Sequence, residues 1–200
     1  MLLGSRISLG PIVPADFPSL FCWANDVEAV RFDTTYRPVD LIQHTEWCQA
    51  VGKDSTMVVF AIRKLSDPAI IGYVKISNIN AVHRCAEFGI RIGSEVHRGQ
   101  GFGKEATALA LSFCWNHLNL NRVQLIVFGH NTRATRVYMA AGFEREGLLR
   151  RAAFVSGEWV DLAIMAVLRP VREQYRSEGA GGSMAADAPL AAAMPLVSAA

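Results

Sequence analysis

The sequence predicts an α/β (α+β) domain, a mostly antiparallel mixed sheet flanked by helices. Three observations carry that prediction. The hydrophobic period switches repeatedly between about two and about 3.6 residues along the chain. Two β-forming runs near the C-terminal end are joined by Ser156 and Gly157, a hairpin signal. One glycine-rich loop, residues 98–104, lies between a strand pattern and an amphipathic helix pattern.

The elements follow in order. Residues 6–9 read as a short first strand, and Pro14, Ala15 and Asp16 open a helix that reaches Trp23. Residues 40–51 give a second helix pattern with Leu41, Thr45 and Cys48 on one face. The run MVVFAIR at 57–63 is rich in β-formers, Asp67 and Pro68 mark a turn, and residues 70–76 form the next strand. Over 86–92 the alternation is clean: Ala86, Phe88, Ile90 and Ile92 share one face, and Glu87, Gly89 and Arg91 take the other. A helix over 103–118 aligns Ala106, Leu109, Ala110, Phe113 and His117 as a core stripe. Residues 122–128 are a strand. Asn131 then caps a helix ending at Ala141, with Gly142 where positive φ is favoured. GLLRRAAFV and EWVDLAIMAVL complete the hairpin, so the predicted order is β-α-α-β-β-β-α-β-α-β-β.

Composition excludes several classes. Hydrophobic residues are 51% of the 200 and charged residues 19%, which is apolar enough for a packed core and too weakly charged for a disordered chain. A net charge of +2 asks for neither nucleic acid nor an anionic membrane, and no run approaches the ~18 apolar residues of a membrane helix. Cys22, Cys48, Cys85 and Cys114 stand far apart, a poor disulfide framework and a poor metal site. The opening MLLGSRISLG is too short and weakly apolar for a signal peptide, so a reducing cytoplasm is the expected location. From residue 177 the chain is rich in Ala and Gly and has no aromatic. That segment, 177–200, is expected to be a flexible tail on a folded domain of residues 1–176.

The loop Arg98-Gly-Gln-Gly-Phe-Gly-Lys104 has the chemistry of a pyrophosphate site. Alternate glycines let the backbone approach a ligand, the following helix adds its dipole, and Arg98 and Lys104 add full charges. A P-loop fails, because Arg98 stands where its first glycine belongs and Glu105 follows the lysine. A dinucleotide fingerprint from Gly99 fails because position 104 is lysine. Taken alone, a phosphate cradle and a glycine turn that fixes a strand-to-helix angle are equally open.

What the loop does resemble is the Arg/Gln-x-x-Gly-x-Gly/Ala loop of the GNAT superfamily of N-acetyltransferases, here Arg98, Gly101 and Gly103. About forty residues on, Asn131-Thr-Arg-Ala-Thr-Arg-Val-Tyr138 followed by Gly142 and Phe143 is similar to that family's next helix. The likeness spans roughly residues 5–168, nearest to the branch of ribosomal-protein alanine, spermidine and amino-sugar-nucleotide acetyltransferases. It implies about six to seven strands, with the central ones splayed apart, and acetyl-CoA as cosubstrate without a metal. It places the pyrophosphate on Arg98, Gly99, Gln100, Gly101, Phe102, Gly103 and Lys104. The pantetheine would pair with the backbone of Ile90, Arg91 and Ile92 and touch Asn131. Tyr138 takes the family's position for a proton donor to the leaving thiolate; as a bare residue it also reads as a packed helix tyrosine.

An alkylamine of lysine type, pKa about 10.4, must lose a proton before attacking a thioester. Glu87 is the candidate base; a salt-bridged surface carboxylate is its alternative. His44, His83, His97, His117 and His130 lack metal-binding spacing, and no arrangement supports an acyl-cysteine. By the resemblance, Trp23, Arg31, Phe32, His44 and Trp47 lie in the region that walls the acceptor site. The acceptor is ranked as a small-molecule amine (amino-sugar nucleotide or polyamine), then a protein N-terminal amine. A non-catalytic acyl-CoA-binding sensor or scaffold is the alternative from another class. A homodimer through the closing hairpin or a sheet edge is open.

Overall fold

Runs of Val, Ile and Phe set the strands, and their alternation decides what each face buries. The computed structural model describes residues 1–30 and 36–170. One sheet runs through them: β1 (Leu2–Leu3), β2 (Ile7–Gly10), β3 (Val58–Lys64), β4 (Asp67–Asn80), β5 (Cys85–Ile92), β6 (Arg122–Phe128), β7 (Glu144–Val155) and β8 (Glu158–Leu168). Their spatial order is β1-β2-β3-β4-β5-β6-β8-β7. Every neighbouring pair is antiparallel except β5 and β6, which run parallel. Parallel neighbours need a long crossover, and the chain between them contains a helix, α4 (Phe102–Asn116).

Two apolar clusters lie among the described residues. In the larger one, Ala106, Ala110 and Cys114 of α4, with Tyr138 of α5 (Thr132–Ala140), meet Val74, Ile76, Phe88, Val123 and Leu125. The smaller cluster joins Leu20 of α1 (Phe17–Ala24) and Cys48 of α3 (Leu41–Ala50) to Ala61 and Ile70, with Trp23 and Tyr73 packed against it. A short α2 (Val27–Val30) follows α1. Asp16, 4% exposed, fixes where α1 begins. Its Oδ2 accepts from Arg63 Nη2 at 2.5 Å and from the Val13 amide at 2.8 Å, so this buried charge is paired and bonded.

Local signals placed most boundaries. Arg122–Phe128 is the strand expected, Asn131 Oδ1 accepts from the Ala134 amide as a cap, and Gly142 has φ +93°. Ser156 and Gly157, at φ +50° and +89°, close the last hairpin. Four expectations need correction. The turn before β4 lies at Leu65 and Ser66, and Asp67 pairs with Lys64 inside the ladder, because proline is tolerated at the start of a strand. In α3 the buried positions are His44 and Cys48 while Leu41 is 60% exposed, since the helix is covered on that side alone. In α4 the buried stripe runs through Phe102, Ala106, Thr107, Ala110, Leu111 and Cys114; His117 is exposed. The sheet has eight strands, β1 having been too short to register as a period. The compact body is Met1–Arg169. Arg31, Phe32 and the 177–200 segment lie outside the described residues.

Candidate active site

β5 and β6 pair only over residues 85–87 against 122–124. Beyond that, residues 88–92 stay bonded to β4 and residues 125–128 to β8, so the two strands part. A cleft of about 870 Å³ opens between them. Its far end is the glycine loop. Gly99 and Gly101 have φ +76° and +86°, which a Cβ disfavours, and Gly99, Gly101 and Gly103 all line the cleft. A Cβ at Gly99 would meet nothing within 4 Å, and one at Gly101 would stand 2.9 Å from Arg6 Nη2. The loop is thus an open backbone cradle at the N-terminus of α4, with Lys104 beside it, a fit for a pyrophosphate.

Arg98 lines the cleft and also braces the loop. Nε donates to the Ile92 carbonyl at 3.1 Å and Nη2 to the Gly93 carbonyl at 2.8 Å, while Nη1 lies 3.7 Å from Glu95. Its fork ties the loop to the end of β5 and leaves its charge at the cleft wall. Gln100 and Phe102 do not turn their side chains into the cleft. Gln100 Nε2 donates to the Val96 carbonyl, and the Phe102 ring is buried under Arg6, whose Cζ lies 5.0 Å from its centroid. Neither residue lines the cleft.

Sequence alone missed Glu105, the anchor behind this loop. Its Oε1 accepts from the Arg6 amide at 2.9 Å, the Ser5 hydroxyl at 3.1 Å and the Ile7 amide at 3.4 Å. Burial pushes its carboxyl up, but these hydrogen bonds outweigh burial and hold it below the usual value. Gly4 beside it admits the close approach, since a Cβ there would collide with Oε1.

The sheet has two faces at the gap. On the α4 side, Tyr138 lines the cleft, with its ring edge-on to Phe88 at 6.1 Å and 5.7 Å from Phe143. Asn131 lines the cleft while capping α5. On the opposite face the register sets Tyr73 beside Arg91, Lys75 beside Gly89 and Ser77 beside Glu87, and across the parallel pair Glu87 beside Gln124. Glu87 is the only carboxylate lining the cleft among the described residues. Ile90, Arg91 and Ile92 line it too, along the parted edge of β5. Lys75, Ser77 and Gln124 were not singled out in the sequence; only strand register shows which residues share Glu87's face.

The N-terminal helices close this second face. Trp23 lies against Gly93, where any Cβ would strike its ring, and its carbonyl accepts from Arg91 Nη1 at 3.3 Å. His44, buried, sits 3.5 Å from Cys48 Sγ, and burial lowers its basicity; Trp47 is 5.9 Å from its ring. His130 stacks on Phe128 at 5.7 Å. Burial pushes the Cys114 thiol up to about 12, far from a reactive thiolate. No group of three metal-ligating side chains occurs among the described residues.

The acetyltransferase (GNAT) domain family matches residues 6–144, more than half of the chain. The chain belongs to the GNAT acetyltransferases. Among its relatives is a spermidine N(1)-acetyltransferase of Vibrio cholerae, 37% identical over 100 residues; that stretch covers 50% of this chain and 57% of the relative. The chain thus spans little more than half the length of that relative. A probable N-acetyltransferase of Bacillus subtilis is 31% identical over 131 residues, 65% of this chain and 71% of that one. Among solved structures, the Vibrio cholerae spermidine N-acetyltransferase in complex with CoA and spermine superposes with a TM-score of 0.77 at 26% identity, covering 82% of this chain and 96% of that one. The GNAT match ends at Glu144, so Leu162 and Ile164, which reach the cleft from β8, belong to the hairpin beyond it.

Proposed function

We propose that this protein moves an acetyl group from acetyl-CoA to a primary amine by direct attack in a ternary complex. The observation that carries the reading is the parted pair β5/β6. It opens one cleft onto the glycine cradle, with Glu87 on one face of the sheet and Tyr138 on the other. The donor supplies a thioester, an activated acyl group. Gly99, Gly101, Gly103 and Lys104 hold its pyrophosphate, joined by the backbone of Gln100 and Phe102, while Arg98 holds the loop in shape. The open edge at Ile90, Arg91 and Ile92 pairs with the pantetheine amides as an added strand would, and Asn131 adds a polar contact. Holding so many remote atoms fixes the reacting carbon, which supplies much of the acceleration.

Glu87 takes one proton from the incoming ammonium, directly or through one water, so that the neutral amine attacks the carbonyl carbon. The C–N bond forms, the C–S bond breaks, and the Tyr138 hydroxyl donates its proton to the departing sulfur; the second proton leaves the new amide nitrogen through water and restores the Tyr138 hydroxyl, while Glu87 passes its proton to solvent. The acceptor is a small-molecule amine ahead of a protein N-terminal amine. The relatives named for spermidine support a polyamine, and an amino-sugar nucleotide is the other candidate. The dodecameric Vibrio cholerae spermidine N-acetyltransferase supports a homo-oligomer here.

Release of free CoA thiol against an amine panel tests the reaction. Turnover with at least one amine, falling about 10²-fold or more in Tyr138→Phe while acetyl-CoA affinity is kept, is the expected result. Acetyl-CoA binding without turnover on any amine would favour an acyl-CoA-binding sensor.

A further inference from the structure

Among the described residues the cleft is lined by one carboxylate, Glu87, and by six lysine and arginine side chains: Lys75, Arg91, Arg98, Lys104, Arg133 and Arg136. Four of the six belong to the glycine loop, the start of α4 and α5, around the cradle that suits the donor's phosphates. Lys75 and Arg91 do not. They stand on the other face, with Glu87, where an amine must arrive.

Lys75 is placed for recognition. It lies one cross-strand step from Glu87, because Lys75 faces Gly89 and Ser77 faces Glu87. Diagonal neighbours of this kind are about 7–8 Å apart. Gly89 leaves the space beside Lys75 empty, as a Cβ there would meet nothing within 4 Å. Lys75 is half-buried and takes part in none of the ion pairs among the described residues. Arg91 is held differently, by the Trp23 carbonyl and over the Tyr73 ring at 5.9 Å. An ammonium without an ion-pair partner, beside an empty pocket, is complemented by an anion. A polyamine would bring further ammonium groups to a face where, among the described residues lining the cleft, Glu87 is the single acid and Lys75 already stands.

We propose that Lys75 recognises the acceptor, and that the acceptor is a small amine carrying an anionic group, carboxylate or phosphate, near its reactive nitrogen. This rests on the acetyl-transfer reading of the same cleft and narrows its acceptor. The test uses matched pairs on one skeleton: an amino acid against its carboxamide, and glucosamine 6-phosphate against glucosamine, with spermidine alongside. Thiol release is measured for the full-length wild type, Lys75→Met and Lys75→Glu. The wild type is expected to favour the anionic member of one pair by about tenfold or more in kcat/KM, and which pair responds tells carboxylate from phosphate. Lys75→Met removes that preference and Lys75→Glu reverses it, raising spermidine above both. A wild type that prefers spermidine, or an anion preference that survives Lys75→Glu, overturns the proposal. Calorimetric titration of the CoA-bound protein with the same amines separates the two readings. Anion-selective binding lost in Lys75→Met, with no thiol release from any protein, keeps Lys75's role and sinks acetyl transfer. Absence of charge selectivity in both assays overturns the role of Lys75.

Discussion

Glu105 shows how much one carboxylate can organise. It collects amides and a hydroxyl from residues 5–7 and so clamps the N-terminal segment to the first turn of α4, where the cradle begins. Its folded pKa lies below its unfolded value, so its stabilisation is complete above the unfolded value, about 4.3, and is lost as pH falls through the folded one. Urea unfolding at pH 7 and pH 4 is expected to show a wild-type midpoint that drops more on acidification than that of Glu105→Gln. Equal drops would mean that other groups carry the acid sensitivity. Lys75 marks the opposite case in legibility: nothing within MVVFAIR or the run after it distinguishes this lysine from a solvated one. Only its partner Gly89, fourteen positions on in sequence, makes it face a pocket.

At the scale of elements, α5 joins fold and site in one residue. Asn131 caps the helix through Oδ1 and lines the cleft, and the two duties separate by substitution. Asn131→Ala is expected to lower stability by about 1 kcal/mol in denaturant unfolding and to weaken acetyl-CoA binding. Asn131→Asp keeps the cap but sets a negative charge facing the donor, so stability returns while affinity stays low. If both recover together, Asn131 is a cap alone. Such caps were legible because they are local: Asn131, Gly142 and the Ser156–Gly157 turn each follow from one or two residues' backbone preferences. The helix stripe of α4 was read partly out of phase, since Leu109 and Phe113 are as apolar as Leu111. Burial there is decided by the sheet the helix meets, not by hydrophobicity. The parted strands were out of reach of periodicity altogether. A pairing that stops after three residues is a non-local event, and only the resemblance of the 98–104 loop and the Asn131 helix to a known family anticipated it.

For the whole molecule, the closing hairpin presents Leu148, Leu149, Phe154 and Trp159 to solvent, each more than 40% exposed, on the edge strand β7 and its partner β8. Apolar area of that kind on a sheet edge favours association. Light scattering is expected to give a mass above that of one chain, falling towards the monomer in a Phe154→Glu, Trp159→Glu double variant; a monomeric wild type would end the idea. The sheet's interruption has a kinetic consequence as well. Because residues of both sheet faces line the cleft, a donor at the cradle and an amine at Glu87 take different faces on the proposed reading, and the two reactants need not wait for each other's departure. Cys114 is sealed in the core and no cysteine lines the cleft among the described residues, so no thiol stands there to store the acyl group between two half-reactions. Initial velocities measured against both reactants are therefore expected to give intersecting double-reciprocal lines, whereas parallel lines would demand an acylated protein, which no cysteine of this cleft is there to form.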